Sequence, residues 1–148
     1  KYDYTLYFAN RIYRPSYISL HTALAFYGII PEAVVQVTSI TSLKTASFTN
    51  DFGEYSYLNV KKRLMFGYEL KPVTDTLAIQ FASAEKALLD LLYLYPFYDT
   101  VQEVEALRLD EDYLHNELKK ELLLEYAAAF QSKALDRRVK LLLKTYGL

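Results

Sequence analysis

The first half of the chain is predicted to form strands with one helix among them. Residues 4–8 alternate weakly between apolar and polar positions, which predicts a short edge strand. Ser19 precedes apolar residues at helical spacing and Gly28 follows them. We therefore expect a short helix with Ser19 as its N-cap and Gly28 at its end. The β-branched run 34–41 predicts the next strand.

A hairpin and two further strands are predicted to complete this half. Residues 45–49 and 54–60 alternate on either side of the Asn-Asp-Phe-Gly stretch 50–53, an arrangement typical of a β-hairpin. Segments 64–70 and 77–82 are also strand candidates, with a Lys-Pro pair between them. The tyrosines of the second hairpin strand, Tyr55 and Tyr57, share one face of it.

The hydrophobic period changes at Ser83, where a helix is predicted to begin. Its apolar pattern runs to about Tyr95, and Pro96 ends it because a proline disfavours helical backbone at the residue before it. Apolar residues cover most of its circumference and leave only a narrow polar strip at Lys86 and Asp90. We expect this to be the most buried helix of the domain.

Two more helices are predicted towards the C-terminus. Asp110 caps a long helix that runs to about Gln131, and Ser132 begins a last helix that closes at Gly147. The fold class that results is α+β, with a β-rich N-terminal half packed against a helical C-terminal half. We expect one domain spanning residues 1–148, because no linker, repeat or low-complexity segment interrupts the chain.

Composition narrows the function classes. A chain of 148 residues with 52% apolar content can bury a real core, and a net charge of −1 allows only a local basic patch. The absence of cysteine rules out disulfides and thiolate sites and fits a reducing cytoplasm. Gly28, Pro31 and Glu32 break the longest apolar run, so no membrane span and no membrane partner is expected. The chain begins at Lys1 without a methionine, which indicates a fragment or a processed product.

No constellation for catalysis is present, so we do not expect an enzyme. His21 and His115 stand singly in different predicted elements, and the four glycines are too dispersed for a phosphate-binding loop. The acidic run Asp110-Glu111-Asp112 has histidine where a calcium loop needs glycine, and it is better explained as the first turn of a helix. We expect no cofactor and no metal ion.

The strongest polar signal is a basic face on the last predicted helix. Its cations follow spacings of four, three and four, opposite an apolar face: Lys133, Arg137, Lys140 and Lys144. Such a face can neutralise three or four phosphates of a nucleic acid. It can equally be a solvated surface whose cations favour the helix C-terminus. The cluster Lys61, Lys62 and Arg63 after the hairpin carries the same ambiguity.

Two arginines near the N-terminus leave another choice open. Arg11 and Arg14 lie among aromatic residues, which is typical both of a nucleic-acid contact and of a core edge covered by arginine stems. Tyr7 and Tyr17 are more simply explained as part of that edge. Glu85 lies on the apolar side of its helix, and we expect Arg11 or Arg14 to pair with it because an unpaired buried charge is costly.

Three stretches of the chain together resemble the AbiEi family of antitoxins. They are YRPSYISLHTALAFYGIIPEAVVQVTSIT, TASFTNDFGEYSYLNVKKRLMFGYEL and FASAEKALLDLLYLYP, and FQSKALDRRVKLLLK resembles the family faintly. The matching positions are Tyr17, Ser19, Leu24, Tyr27, Gly28, Glu85, Lys86, Leu88 and Asp90. The combination of these stretches in this order is specific, whereas any one of them alone is a weak signal.

The resemblance implies a bacterial type IV toxin–antitoxin or phage-defence protein, acting in the cytoplasm. Members usually join an N-terminal winged helix-turn-helix, which binds operator DNA, to a C-terminal domain like this one. The sequence from Lys1 does not include that segment, so we expect either that it was removed or that this protein lacks it. The partners implied are operator DNA, mainly through that segment, and a nucleotidyltransferase-type toxin opposed without a stable complex. RNA is a further partner, through the basic face.

Two rival hypotheses remain. One is a protein-interaction or dimerisation module without antitoxin activity, with Tyr55 and Tyr57 as exposed interface anchors. The other is a hydrolase or transferase, for which the sequence offers no constellation of catalytic residues.

Overall fold

A computed structural model describes residues 2–148, with side chains from Tyr4 onward, as a mixed six-stranded sheet covered by helices. The strands are β1 (Ser16–Ile18), β2 (Val37–Thr41), β3 (Ala46–Asn50), β4 (Gly53–Asn59), β5 (Tyr68–Pro72) and β6 (Ala78–Ala82). The helices are α1 (Tyr2–Ile12), α2 (Leu20–Phe26), α3 (Ala84–Leu94), α4 (Val101–Glu105), α5 (Glu111–Asn116), α6 (Lys120–Phe130) and α7 (Lys133–Thr145). The predicted α+β class is confirmed.

The sheet has the strand order β3-β4-β2-β1-β6-β5. The neighbours β3–β4, β1–β2 and β5–β6 are antiparallel, while β2–β4 and β1–β6 are parallel. The predicted hairpin β3–β4 is present, and because Asn50 pairs with Gly53 its turn is shorter than the predicted stretch 50–53. The short strand β1 lies inside the sheet, so its three residues are buried.

Helix α3 is the most buried helix, as the apolar pattern predicted. Residues 84–92 are all buried, because α3 contacts the sheet on one side and α2, α6 and α7 on others. Ser83 caps α3 by accepting a hydrogen bond from the backbone N–H of Lys86. The polar strip of Lys86 and Asp90 is buried with the rest of the helix, which the pattern did not predict.

The N-terminal strand prediction was wrong. Residues 4–8 belong to the helix α1, whose buried residues Leu6 and Ala9 lie three apart and face the sheet. Over five residues, a weak alternation cannot be told from part of a helical stripe. The segment 64–70 is also divided: Lys62–Leu64 forms a 3₁₀ turn, and only Tyr68–Pro72 forms a strand.

The long helix predicted from Asp110 is two helices, and α4 before them was not predicted. Asp110 caps α5 by accepting from the N–H of Asp112, as expected. The chain then breaks before α6, and the Lys119 N–H donates a 2.8 Å hydrogen bond to Glu85 Oε2. A carboxylate from α3 therefore satisfies a backbone donor at the start of α6, where an unbroken helix would have supplied a carbonyl.

Candidate functional site

A buried polar network joins α3 to strand β1. Asp90 Oδ2 accepts hydrogen bonds from the hydroxyls of Tyr17 and Ser19, both at 2.8 Å. Lys86 Nζ donates to Tyr17 Oη at 2.7 Å and to the Leu64 carbonyl at 2.8 Å, and it lies 3.0 Å from Asp90 Oδ1. Every member that contributes a side chain is fully buried. The network therefore lies inside the protein and connects α3 to the sheet.

Aromatic rings and one glycine surround the buried ammonium. Lys86 Nζ lies 4.4 Å from the ring centroid of Phe66, 5.1 Å from that of Tyr17 and 5.2 Å from that of Phe130. Rings at these distances attract a cation through their negative faces. Gly67 lies against the Lys86 stem so closely that a Cβ there would be 2.8 Å from Lys86 Cγ.

Burial and charge act in opposite directions on the two ionisable groups. Burial raises the pKa of Asp90, whereas the Lys86 ammonium and the two hydroxyls lower it. Burial lowers the pKa of Lys86, whereas Asp90 raises it. Burial is the larger effect for both groups, so the pKa of Asp90 is raised and the pKa of Lys86 is lowered, and only their mutual attraction and the surrounding hydrogen bonds favour the charged forms. The pKa of Tyr17 is raised by burial and by Asp90, so Tyr17 keeps its proton and remains a donor.

The basic face predicted on the last helix is present on α7. All four cations are exposed: Lys133, Arg137, Lys140 and Lys144. The opposite face is buried as predicted: Leu135, Val139, Leu142 and Tyr146. Arg137 is already bound, since its Nη2 lies 3.0 and 3.1 Å from the two carboxylate oxygens of Asp99. The three lysines have no ion-pair partner among the described residues.

The second basic cluster lies beside the start of α7. Arg63 donates from Nη1 to the Ala129 carbonyl and from Nη2 to the Phe130 carbonyl, both at 3.1 Å, and so caps the C-terminus of α6. Lys61 and Lys62 are exposed. Residues far apart in sequence thus approach the end of α7 that carries Lys133.

The predicted pairing of Glu85 with an N-terminal arginine was wrong. Glu85 instead accepts from the backbone of Lys119. Arg11 and Arg14 are exposed, and the Arg11 guanidinium carbon lies 5.6 Å from the ring centroid of Tyr7. Both arginines line a cavity of about 480 Å³ at the end of α1.

The tyrosines proposed as interface anchors are not exposed. Tyr55 and Tyr57 share one face of β4, as predicted, but that face is the inner one and both residues are fully buried. The Tyr57 hydroxyl donates to the carbonyl of Ala9 in α1. Tyr17 is buried and Tyr7 half-buried against the core, which confirms their assignment to the core edge.

The two histidines lie apart, each in a peripheral position. His21 lines a cavity of about 460 Å³ with Glu32 and Tyr98, and burial lowers its pKa. His115 Nε2 lies 3.1 Å from the Tyr146 carbonyl. Among the side chains described, from Tyr4 onward, no group of three or more acidic or histidine residues is arranged to hold a metal ion. Nor does the described chain contain a helix with the length and hydrophobicity needed to cross a bilayer.

Comparison of the chain with protein-family models, with curated proteins and with solved structures found no match in any of the three.

Proposed function

We propose that this chain is the C-terminal antitoxin domain of an AbiEi-like regulator and not an enzyme. In this role it neutralises a nucleotidyltransferase-type toxin in the bacterial cytoplasm and contributes to repression of its own operon. One observation carries the proposal. Tyr17 and Ser19 come from one of the stretches that resemble the family, and Lys86 and Asp90 come from another, yet all four meet in a single network. Because residues from two separate motifs meet in one buried network, the motifs act together in the fold, and this supports the resemblance to the family.

The basic face of α7 supports a nucleic-acid contact within that function. On one exposed face lie Lys133, Lys140 and Lys144, which have no carboxylate partners among the described residues. Lys61 and Lys62, next to the Arg63 that caps α6, extend the positive charge. Phosphate neutralisation needs such free cations, because each releases a condensed counterion. The proposed ligand of this face is either operator DNA or an RNA substrate of the toxin.

A growth-rescue assay tests the antitoxin function. The chain is co-expressed with the nucleotidyltransferase-type protein encoded beside it, and restored growth is the expected result. Lys140→Glu with Lys144→Glu is expected to weaken rescue of growth. The control, Lys44→Glu with Lys120→Glu, makes the same change of charge at other exposed positions and is expected to leave rescue intact. Continued arrest while the chain is folded and abundant would overturn neutralisation by this domain alone.

A second candidate function is a protein-interaction or dimerisation module without antitoxin activity. With Tyr55 and Tyr57 buried, its anchors would have to be other aromatic residues. Tyr4 and Phe52 are about half exposed, and both flank Phe8, with ring centroids 6.5 and 4.8 Å from it. Exposed aromatic clusters are typical of interfaces. Light scattering that gives a monomer mass at high concentration, with no partner captured, would remove this candidate.

A further inference from the structure

A groove at the end of α1 contains the arginines that sequence analysis left unassigned. It lies between α1 and the strands β1, β5 and β6, and its volume of about 480 Å³ is within the range of small-ligand sites. Arg11 and Arg14 line it together with Tyr7, Ser16 and Gln80. Among the residues whose side chains the structure describes, no carboxylate lines the groove, so the charge that these residues bring to it is positive.

These two arginines differ from the other four of the chain. The other four all donate to acceptors within the fold: Arg63 and Arg138 to backbone carbonyls, Arg108 to Glu32 and Arg137 to Asp99. Arg11 and Arg14 have no acceptor among the described residues. A guanidinium presents a planar fork of N–H donors that matches the oxygens of a phosphate, and both of these forks are unoccupied.

Ser16 provides an independent sign of an external ligand. The residue is only 2% exposed, and its hydroxyl has no hydrogen-bond partner. Buried hydroxyls are normally satisfied, because an unmade hydrogen bond costs free energy. Ser16 lines the same groove as the two arginines, so rotation of its side chain towards the groove would let one bound oxyanion supply what all three side chains lack.

The walls of the groove add selectivity for a ligand with a flat ring. Tyr7 is half-buried and presents its ring beside Arg11, and Leu70 and Ala78 form an apolar wall. The Gln80 side chain also lines the groove and makes no hydrogen bond to described residues, while its backbone N–H is bound by Asn10. Stacking on a tyrosine and hydrogen bonding by an amide are common ways to hold a nucleobase.

We propose that this groove binds a nucleotide. The phosphate lies between Arg11 and Arg14, one phosphate oxygen accepts a hydrogen bond from Ser16, and the base lies against Tyr7. The inference goes beyond the proposed function, since it concerns a different surface from the α7 face and does not require antitoxin activity. The recognised chemistry is a phosphate ester next to a base. This chemistry is common to a free mononucleotide and to a nucleotide within a strand.

Titration calorimetry with AMP, UMP, adenosine and inorganic phosphate tests the proposal. We expect both mononucleotides to bind, phosphate to bind more weakly and adenosine not to bind detectably at about 1 mM. A dinucleotide and a short oligonucleotide form the second arm. Affinity that stays constant with length indicates a free nucleotide, whereas affinity that rises with length indicates a strand. Absence of binding by every one of these ligands would overturn the proposal.

Variants separate the groove from general positive charge. Arg11→Ala with Arg14→Ala is expected to weaken AMP binding at least tenfold, and Arg11→Lys with Arg14→Lys to recover only part of it, because lysine lacks the bidentate fork. Lys140→Ala with Lys144→Ala removes the same charge from α7 and should leave AMP affinity unchanged. Equal losses in both double variants would mean non-specific attraction and contradict a site.

Ser16→Ala gives a readout that a structural role cannot imitate. Removing a buried hydroxyl without a partner should leave the unfolding midpoint unchanged or raised, while AMP binding weakens severalfold. Arg11 also lies in the last turn of α1, where a cation stabilises the helix end. If Arg11→Ala lowers stability and none of these variants changes AMP affinity, the groove is structural and the proposal fails.

Discussion

At the residue scale, Lys86 and Asp90 are the pair whose burial most constrains the fold. Both side chains are fully buried, and the Lys86 ammonium is also close to three rings. A buried ion pair repays its desolvation only with good geometry and further hydrogen bonds, which Tyr17 and Ser19 provide. The sequence analysis missed this network, although a lysine and an aspartate four residues apart on an otherwise apolar helix are a signal that could have found it.

Removal of one charge of the network should be strongly destabilising. Asp90→Asn leaves the Lys86 ammonium buried without a counter-charge, and we expect a loss of about 3–5 kcal/mol in the free energy of unfolding, measured by urea denaturation. The double variant Lys86→Met with Asp90→Leu should lose less than Asp90→Asn alone. Glu32→Gln, which breaks the exposed pair with Arg108, is the control and should change stability far less. Equal effects at Asp90 and Glu32 would contradict the role of burial.

Two glycines with similar backbone angles should respond differently to alanine. Gly67 and Gly28 have φ of +77° and +75°, so alanine is strained at both by about 1 kcal/mol. Only at Gly67 does the new Cβ meet other atoms, 2.8 and 2.9 Å from the Lys86 stem. Gly67→Ala should therefore lower the thermal midpoint clearly more than Gly28→Ala does. Equal shifts would mean that the Lys86 stem moves aside freely.

At the element scale, the helix starts show which local signals were reliable. Ser83, Asp110 and Ser132 cap their helices through side-chain hydrogen bonds, as the sequence predicted. Ser19 occupies the N-cap position of α2 but makes no capping bond, and its hydroxyl donates to Asp90 instead. The break between α5 and α6 could not be read locally, since its partner, Glu85, lies on another helix.

Substitution by aspartate should distinguish the two kinds of N-cap serine. Ser132→Asp keeps a capping acceptor next to the helix N-terminus, so stability should stay within about 0.5 kcal/mol of the parent, whereas Ser132→Ala should cost about 1 kcal/mol. Ser19→Asp puts a second carboxylate beside buried Asp90 and should destabilise far more, although aspartate is as good an N-cap as serine. Circular dichroism melts measure both. A small loss of stability in Ser19→Asp would mean that the hydrogen bond from Ser19 to Asp90 is dispensable.

At the scale of the whole molecule, tertiary packing combines charges that the sequence separates. Capping of α6 by Arg63 brings the segment of Lys61 and Lys62 close to the α7 end that carries Lys133. Folding also pairs or buries two cations, because the exposed Arg137 is bound to Asp99 and Arg138 is buried with its Nη1 on the Leu92 carbonyl. The basic face therefore has three free cations where the sequence predicted four.

The salt dependence of nucleic-acid binding should count these free cations. With three lysines on phosphates, the logarithm of the affinity for duplex DNA should fall against the logarithm of salt concentration with a slope of about −3. Lys140→Ala with Lys144→Ala should make that slope shallower by about 2, measured by fluorescence anisotropy at several salt concentrations. Lys44→Ala with Lys120→Ala removes two exposed lysines that lie outside α7 and outside the groove, so it is the control and should leave the slope unchanged. An affinity independent of salt would contradict the assignment of α7.

The sequence by itself determined the α+β class, the hairpin, the burial of α3, three helix caps and the amphipathic α7. These features depend on neighbours within a few residues, where periodicity and capping chemistry act. Only the tertiary structure decided that Tyr55 and Tyr57 are buried, that Glu85 binds Lys119 and that Arg11 and Arg14 line a groove. Their partners lie 34 residues away for Glu85 and 48 for Tyr57, and side chains so distant meet only when whole elements pack.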